Sequence, residues 1–198
     1  MLGFAVMIEQ LLAALTRALA TRERHVLAPA DKTVAAVLVP LASVDGELHL
    51  LLTRRSHLLS HHRGQVAFPG GRHHAEEDRD LLTTALREAH EEIGLEPADV
   101  RVLGPLDDIE TVSTRFVITP FVGVVPHPYC WRPSQAEVAA IFTVPLRVLQ
   151  APGGARQELW DFGGEQIPID TYPVEGHVIW GATQRITHNL LDVIATLA

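Results

Sequence analysis

Cysteine is nearly missing from this chain: Cys130 is the single one among 198 residues. One thiol excludes an intramolecular disulfide and a metal site built from cysteines alone. Proteins of a reducing compartment commonly have this composition, so we expect a cytoplasmic protein without covalent cross-links. At 47% hydrophobic residues, the chain has instead the composition to fold around its own core.

Basic residues are also in short supply, since 16 Lys and Arg stand against 24 Asp and Glu, a net charge of −8. Such a surface repels the phosphates of nucleic acids and anionic lipids, so we expect neither nucleic acid nor membrane as a partner. A protein of this charge that handles a phosphorylated small molecule needs a cation as mediator. Composition leaves the oligomeric state open, a homodimer included.

A long uninterrupted hydrophobic run is lacking at the N-terminus. Residues 1–20 are apolar, but Glu9 and Gln10 interrupt them and no basic cluster precedes them, which is typical of neither a signal peptide nor a membrane span. The apolar residues recur at helical spacing, at Ile8, Leu11, Leu12, Leu15 and Leu19. We expect an amphipathic helix and linker over residues 1–30, packed on a domain of residues 31–198; a helix on a membrane surface is the alternative.

The rest of the chain mixes strand and helix patterns. Strands are predicted at Thr33–Val39 closed by Pro40, Glu47–Arg54, Val100–Leu106, Arg115–Val125 and Val178–Trp180. Helices are predicted at Leu81–Ile93, Ser134–Phe142, Pro145–Leu149 and Thr183–Leu197. A glycine-rich stretch, Pro152–Gly164, has no predicted element. Strands mixed with separate helices indicate an α/β or α+β sandwich.

The helix predicted at Leu81–Ile93 carries an apolar stripe and an acidic one. Glu88, Glu91 and Glu92 stand at i, i+3 and i+4, where each like-charge pair costs about 0.2–0.5 kcal/mol. They also lie toward the C-terminal end, where the helix dipole disfavours anions. A hard divalent cation bound together with substrate phosphates would compensate them, whereas solvated surface acids are the alternative.

The chain at this point resembles the Nudix hydrolases, whose box is G-x5-E-x7-R-E-U-x-E-E-x-G-U with U an apolar residue. Residues 87–95, REAHEEIGL, match its second half completely. Gly71 to Glu77 keeps the first spacing, but nine residues rather than seven separate Glu77 from Arg87. The added residues fall in the loop ahead of the helix, where extra length costs little, and they leave the equivalent of the box's first glutamate open.

A second resemblance, to the coenzyme A pyrophosphatases of this family, lies just upstream. Their motif L-L-T-x-R-[SA]-x3-R-x3-G-x3-F-P-G-G matches residues 51–71 except at Ser60, where the motif has arginine. Further matches at Glu137-Val138 and at residues 179–183 extend the resemblance over about residues 33–190. It implies a Nudix-type α/β/α sandwich with a mixed sheet and an added N-terminal helix.

The resemblance also implies an activity, namely metal-dependent hydrolysis of the diphosphate bond of coenzyme A or acyl-coenzyme A. The products would be 3′,5′-ADP and (acyl-)4′-phosphopantetheine. The implied ligands of Mg²⁺ or Mn²⁺ are Gly71 through its carbonyl, Glu88, Glu91 and Glu92. Arg87 would orient a neighbouring glutamate, and Glu88, Glu92 or Glu137 would take the proton of the attacking water. Substrate phosphates are expected at Arg54, Arg55, Arg63 and Gln65.

Two other functions stay open. Ser60 motivates a different diphosphate substrate, such as ADP-ribose, NADH or a related nucleoside diphosphate derivative. A non-catalytic Nudix module that senses a nucleotide is the second, although a binding module has no need of mutually repelling glutamates.

Histidines flank the glycine loop at His57, His61, His62, His73 and His74. Their spacing fits no common zinc pattern, so we expect surface or phosphate-pocket positions for them.

Overall fold

The computed structural model describes residues 2–29, 31–111 and 115–197. Met1, Ala30 and Ala198, to which some predictions extend, lie outside the described residues, as do residues 112–114. The helices in the described ranges are α1 (Leu2–Thr21), α2 (Leu81–Ile93), α3 (Leu146–Gln150) and α4 (Gly181–Ala195), with a short 3₁₀ turn at Pro97–Asp99. Both α1 and α2 therefore form where the apolar periodicity predicts them.

Most strands belong to one large mixed sheet. Its strands are β1 (Thr33–Val44), β2 (Glu47–Arg55), β3 (Val66–Ala67), β4 (Gly70–Arg72), β5 (Arg101–Pro105), β6 (Ile109–Glu110), β7 (Phe116–Val125) and β8 (Val138–Pro145). The central order is β3-β2-β1-β7-β5, with β8 paired to β2, β4 to β1 and β6 to β7. β1 and β7 run parallel, whereas β1 with β2 and β5 with β7 are antiparallel. The mixed sheet is thus confirmed.

Helices cover both faces of this sheet. On one face, α2 buries Ala85, Ala89 and Ile93 against apolar residues of β1 and β2. On the other face, α1 and α4 share a larger core with the alternate residues of the same strands. Because side chains of a strand point alternately to its two faces, the apolar run of β1 supplies both cores. The α/β/α sandwich is therefore confirmed.

The N-terminal helix α1 is part of the sandwich. Leu12, Leu15 and Leu19 are buried, and Ile8 and Leu11 pack against the same core. Arg22, just beyond the helix, donates to Asp107 at 2.8 Å and so fastens the following segment to the sheet. Within the described ranges, no helix combines the length and the apolarity that a membrane crossing requires.

The structure corrects three of the predicted elements. Ser134–Phe142 was predicted helical, but Val138–Pro145 is strand β8, which pairs antiparallel with β2. The glycine-rich stretch contains strand β9 (Arg156–Phe162), which forms a separate three-stranded antiparallel sheet with β10 (Glu165–Val174) and β11 (His177–Trp180). Pro40 does not close β1, because the strand continues to Val44 and turns into β2 at Asp45 and Gly46.

Candidate active site

Helix α2 is fixed at both ends by local hydrogen bonds. At its start, the Asp80 carboxylate accepts from the Thr83 amide at 2.8 Å, which satisfies a free N–H of the first turn. At its end, Gly94 has φ 70° and its amide donates to the His90 carbonyl. Only a residue that tolerates this left-handed conformation ends a helix this way at low cost, as the sequence predicts. The acidic stripe therefore has a rigid base.

The glycine loop presses against this helix. A Cβ added at Gly70, where φ is 156°, would collide with the Ala36 carbonyl, and one added at Gly71 would collide with the Glu88 carboxylate. β4 can pair with β1 and still approach α2 only because both residues lack side chains. The Gly71 backbone and the Glu88 carboxylate are consequently in direct contact.

Two glutamates of the stripe are withdrawn from solvent: Glu92 is buried and Glu88 is partly buried. The Glu92 side chain is 6% exposed; Arg55 Nη1 lies 3.9 Å away, and the Gly70 amide donates to it at 3.3 Å. Burial raises the pKa of Glu92 to about 8, and the charges of Glu88 and Glu137 add to this rise. Burial likewise raises the pKa of Glu88. Each carboxylate has one arginine beside it, Arg87 for Glu88 and Arg55 for Glu92, and burial outweighs that charge in raising the pKa.

Arg87, on the adjacent side of the helix, is by contrast fully occupied. Its Nε and Nη2 donate to the two oxygens of Asp78 at 2.8 and 3.1 Å. Asp78 is buried, and these hydrogen bonds from Arg87 hold its pKa well below the ordinary value despite burial. Arg87 Nη1 also lies 3.0 Å from Glu88 Oε1 and 3.2 Å from Glu91 Oε2. Arg87 thus links a buried acid to the acidic stripe.

Asp78 is the functional residue that the sequence interpretation missed. The box spacing indicates Glu77, but Glu77 is exposed and its buried neighbour Asp78 holds Arg87. Thr84 Oγ1 donates to Asp78 Oδ2 at 2.9 Å, and the amide of His74 donates to the same carboxylate. Because the Thr84 hydroxyl has one hydrogen, His73 Nδ1, at 2.8 Å, must be the donor to its oxygen.

The remaining predicted acids lie nearer to solvent. The Glu91 side chain is 55% exposed and shares Arg87 with Glu88. Glu137 is exposed, and its backbone carbonyl accepts from the Ser56 amide at 2.7 Å, which joins the segment before β8 to the end of β2. The charge of Glu137 helps to raise the pKa values of Glu88 and Glu92. Its contribution is smaller than those of burial and of closer charges. The structure therefore brings Glu88, Glu92 and Glu137 together at one edge of the sandwich.

The donor set of this edge fits a hard divalent cation. The Glu88 carboxylate adjoins the backbone of Gly71 and the buried Glu92 carboxylate that of Gly70, and oxygen atoms are the ligands that Mg²⁺ and Mn²⁺ prefer. In the described part of the chain, no three His, Cys, Asp or Glu side chains already form a metal-binding cluster. Backbone carbonyl, substrate and water would therefore complete the coordination, as is usual for Mg²⁺.

The residues predicted to bind substrate divide between two places. Arg54, Arg63 and Gln65 line one pocket of about 330 Å³. Arg55 is not part of this lining and points to Glu92. The pocket also includes His57, for which a surface or phosphate-pocket position is expected, and His177 and Trp180 from β11, which the sequence does not assign to substrate. The matching segment at residues 179–183 was the available indication for Trp180.

The five histidines near the glycine loop have separate environments. His73 bonds Thr84, His62 Nδ1 lies 2.9 Å from Gln65 Oε1, and the His57 ring lies beneath Gly64. His61 and His74 are exposed. This division agrees with surface and pocket positions.

Comparison with known proteins identifies relatives over most of the chain. A family model described as the NUDIX domain matches residues 32–162. A protein of Photorhabdus laumondii named uncharacterized Nudix hydrolase NudL is 40% identical over 160 residues, 81% of this chain and 84% of that protein. A protein of the same name from Salmonella paratyphi B is 38% identical over 168 residues, 79% of this chain and 80% of the relative. The crystal structure of a NUDIX hydrolase from Alicyclobacillus acidocaldarius superposes with a TM-score of 0.54 at 21% identity, over 82% of this chain and 92% of that one, and supports the fold.

Proposed function

This chain belongs to the Nudix hydrolase family, and from that premise we propose that it hydrolyses the diphosphate bond of coenzyme A or acyl-coenzyme A with Mg²⁺ or Mn²⁺. The observation that carries the proposal is the pair of carboxylates, Glu88 and Glu92, whose pKa values burial raises and which lie against the backbone of Gly71 and Gly70. Diphosphate hydrolysis requires a cation at this position in a protein of net charge −8. The products are 3′,5′-ADP and 4′-phosphopantetheine, acylated where the substrate is.

Each acidic residue has a distinct part in this proposal. Glu88 and Glu92, with the Gly71 carbonyl, hold the cation, and Glu91 is a further predicted ligand whose carboxylate Arg87 already binds. When bound, the cation supplies charge neutralisation of the diphosphate oxygens and activation of water. Arg87 touches no substrate; anchored on Asp78, it keeps the Glu88 carboxylate in place.

A base must remove a proton from the attacking water. Glu88, Glu92 and Glu137 are the candidates, since all three carboxylates interact at the same edge. A base works best when its pKa lies near the working pH, and burial brings the pKa of Glu92 to about 8. A buried glutamate that shares the site with a cation is ionised at lower pH than this value, because the cation favours the charged form.

Support for coenzyme A as the substrate comes from the segment between β2 and the glycine loop. Residues 51–71 match the coenzyme A pyrophosphatase motif except at Ser60, and Arg54, Arg63 and Gln65 of that segment line one pocket. A reducing compartment such as the cytoplasm, where coenzyme A carries a free thiol, suits a chain with one cysteine.

Ser60 favours one second candidate. The residue is exposed in the loop where the motif has an arginine, so a phosphate contact of the motif is missing. The alternative substrates are ADP-ribose, NADH or a related nucleoside diphosphate derivative. A non-catalytic sensing module would gain nothing from two neighbouring carboxylates whose pKa values burial raises.

The test is product analysis with a panel of substrates. The protein is incubated with coenzyme A, acetyl-coenzyme A, ADP-ribose and NADH, each with Mg²⁺, Mn²⁺ or a chelator, and products are identified by mass. We expect 3′,5′-ADP from the coenzyme A substrates and no product with chelator. Higher kcat/KM on ADP-ribose or NADH would establish the alternative, and a folded protein that cleaves none of the four would support the sensing module.

A further inference from the structure

The pocket that contains Arg54 is unusual in its charge. Besides Arg54 it is lined by His57, Arg63, Gln65, His177 and Trp180, and none of its described lining residues is Asp or Glu. This absence of acids occurs in a chain with 24 of them. A concave site that combines two guanidinium groups with neutral donors is suited to a phosphate group.

Arg54 provides the second observation. Its Nε atom is buried and has no hydrogen-bond acceptor among the described residues. A buried donor without a partner costs free energy that a bound anion would recover. Two aromatic rings near it are held in fixed positions, since His177 stacks on Phe142 at 4.0 Å and Trp180 packs on Trp160 at 5.0 Å. The pocket therefore offers planar rings next to a guanidinium group whose Nε has no acceptor within the described chain.

The pocket lies on the opposite face of the sheet from Glu92. Along β2, Leu51 packs in the core beneath α2 and Leu52 in the core beneath α4, so alternation places Arg55 on the α2 face and Arg54 on the α4 face. Arg55 accordingly reaches toward Glu92, whereas Arg54 meets β11 in the pocket. An anion bound by Arg54 is therefore a different group from the diphosphate held beside Glu92.

We propose that this pocket binds a phosphomonoester on the nucleoside half of the substrate, separate from the diphosphate that is cleaved. In coenzyme A this group is the 3′-phosphate of adenosine, so the inference rests on the proposed function and adds the site that selects this substrate. Arg54 and Arg63 contact the phosphate, and the ring of Trp180 or His177 lies against the base or ribose. Arg54 and Arg63 then replace the arginine that the motif has at Ser60.

The test measures binding and needs no hydrolysis. Adenosine 3′,5′-bisphosphate and AMP, which differ in the 3′-phosphate alone, are titrated into the metal-free protein by calorimetry. Because a charge-assisted contact to phosphate is among the strong hydrogen bonds, we expect the bisphosphate to bind about tenfold more tightly or better. Arg54→Gln should reduce this preference to about twofold or less, and Arg63→Gln should reduce it in part.

Arg147→Gln is the matched control, since Arg147 pairs with Glu47 at the far end of β2 and should leave the preference unchanged. Equal binding of the two nucleotides by the unmutated protein would overturn the proposal, as would a preference that survives in Arg54→Gln. Should Arg54→Gln unfold, as judged by its Tm, Arg63→Gln decides, because Arg63 is an exposed residue whose replacement leaves the core intact.

A kinetic measurement separates this inference from the proposed function. Coenzyme A and 3′-dephospho-coenzyme A are compared by kcat/KM, and we expect the dephosphorylated substrate to lose about tenfold, through KM. Arg54→Gln should abolish that difference by raising the KM for coenzyme A about tenfold, to the value for the dephosphorylated substrate. If neither substrate is cleaved but the nucleotide preference is found, the proposed function fails and the phosphate site stands. If both are cleaved equally, the phosphate site fails and the hydrolase stands.

Discussion

Asp78, just before helix α2, and the pair Glu88 and Glu92, within the helix, differ in how fully the chain neutralises their carboxylates. On one side of α2, Asp78 receives a two-point contact from Arg87 and further hydrogen bonds from Thr84 and His74, so that its pKa is lowered. On the other side, Glu92 is buried and Glu88 partly buried, each with a single arginine contact, and their pKa values are raised. The first carboxylate is neutralised fully within the chain, whereas the charged forms of the other two are stabilised too weakly to offset burial. The first is suited to structure and the other two to cation binding.

The largest effect on activity should come from substitution of Glu88 or Glu92. We expect Glu92→Gln and Glu88→Gln each to lower kcat by about 10²- to 10⁴-fold, since each removes a proposed ligand or base. Neither should lower the metal-free Tm at pH 8 and above, because the amide is never ionised and so avoids the cost of a charged carboxylate away from solvent. The control is Glu77→Gln, which removes the same charge from an exposed residue and should retain activity. An early-melting Glu92→Gln protein would show instead that the carboxylate is structural.

Substitution of Asp78, in contrast, should lower the stability of the fold. Asp78→Asn removes one partner of a buried ion pair and leaves Arg87 without its main acceptor, which should cost about 3–5 kcal/mol of unfolding free energy at neutral pH. The free energy is measured by urea denaturation with and without Mg²⁺. Activity should also fall, because Arg87 no longer holds Glu88. An Asp78→Asn protein as stable as its parent would contradict the comparison between the two sides.

The dependence of stability on pH should separate the two sides next. The pKa of Glu92 is about 8 in the folded chain against an ordinary 4.5, so between these values the folded state binds more protons than the unfolded one. Stability from this group therefore falls as pH rises. Without metal, Tm should decline from about pH 5 to about pH 8 in the parent protein and decline less in Glu92→Gln. Superimposable profiles would contradict the raised pKa.

Asp78 contributes with the reverse sign at lower pH. Its lowered pKa means that its stabilisation is present above the ordinary aspartate value and is lost as pH falls below it.

Mg²⁺ should raise the Tm most at the alkaline end, because a metal binds only the ionised glutamates. A Tm increase by Mg²⁺ that is independent of pH would contradict the assignment of Glu92 as a ligand.

The smallest effect is expected at Glu91, which lies between the two sides. Its side chain is 55% exposed and forms an i,i+4 pair with Arg87, so Glu91→Gln should change the unfolding free energy by about 0.5 kcal/mol or less. Its effect on kcat/KM should be smaller than that of Glu92→Gln. A loss of activity as large as that of Glu92→Gln would show that Glu91 turns from Arg87 to bind the cation.

What the sequence predicts well is the part in which local and tertiary preferences agree. Helix α2 has its predicted bounds because apolar periodicity, the Asp80 cap and Gly94 all favour the same structure. The segment at Ser134–Phe142 has helix-favouring residues, yet its second half pairs with β2, a contact between residues about 90 positions apart that no local pattern contains. Tertiary pairing therefore overrides local propensity there.

The hairpin of β9 and β10 and the identity of Asp78 were missed for different reasons. Gly163 and Gly164 form the turn of that hairpin, both with positive φ, but glycines nearby made the whole stretch resemble a loop. Glu76, Glu77 and Asp78 are adjacent acids in a lengthened loop, and spacing alone does not show which one turns inward. Burial against Thr84 and Arg87 decides it, and burial is a property of the folded chain.

The parallel pairing of β1 with β7 has a consequence for biosynthesis. Val34 lies opposite Val117 in this pairing, and helix α2 lies between these two residues in the sequence. A nascent polypeptide cannot complete the centre of its sheet until the ribosome has released β7, and such non-local contacts form slowly. Until then one edge of β1 has no partner strand, so we expect the emerging chain to need chaperones most at this stage of translation.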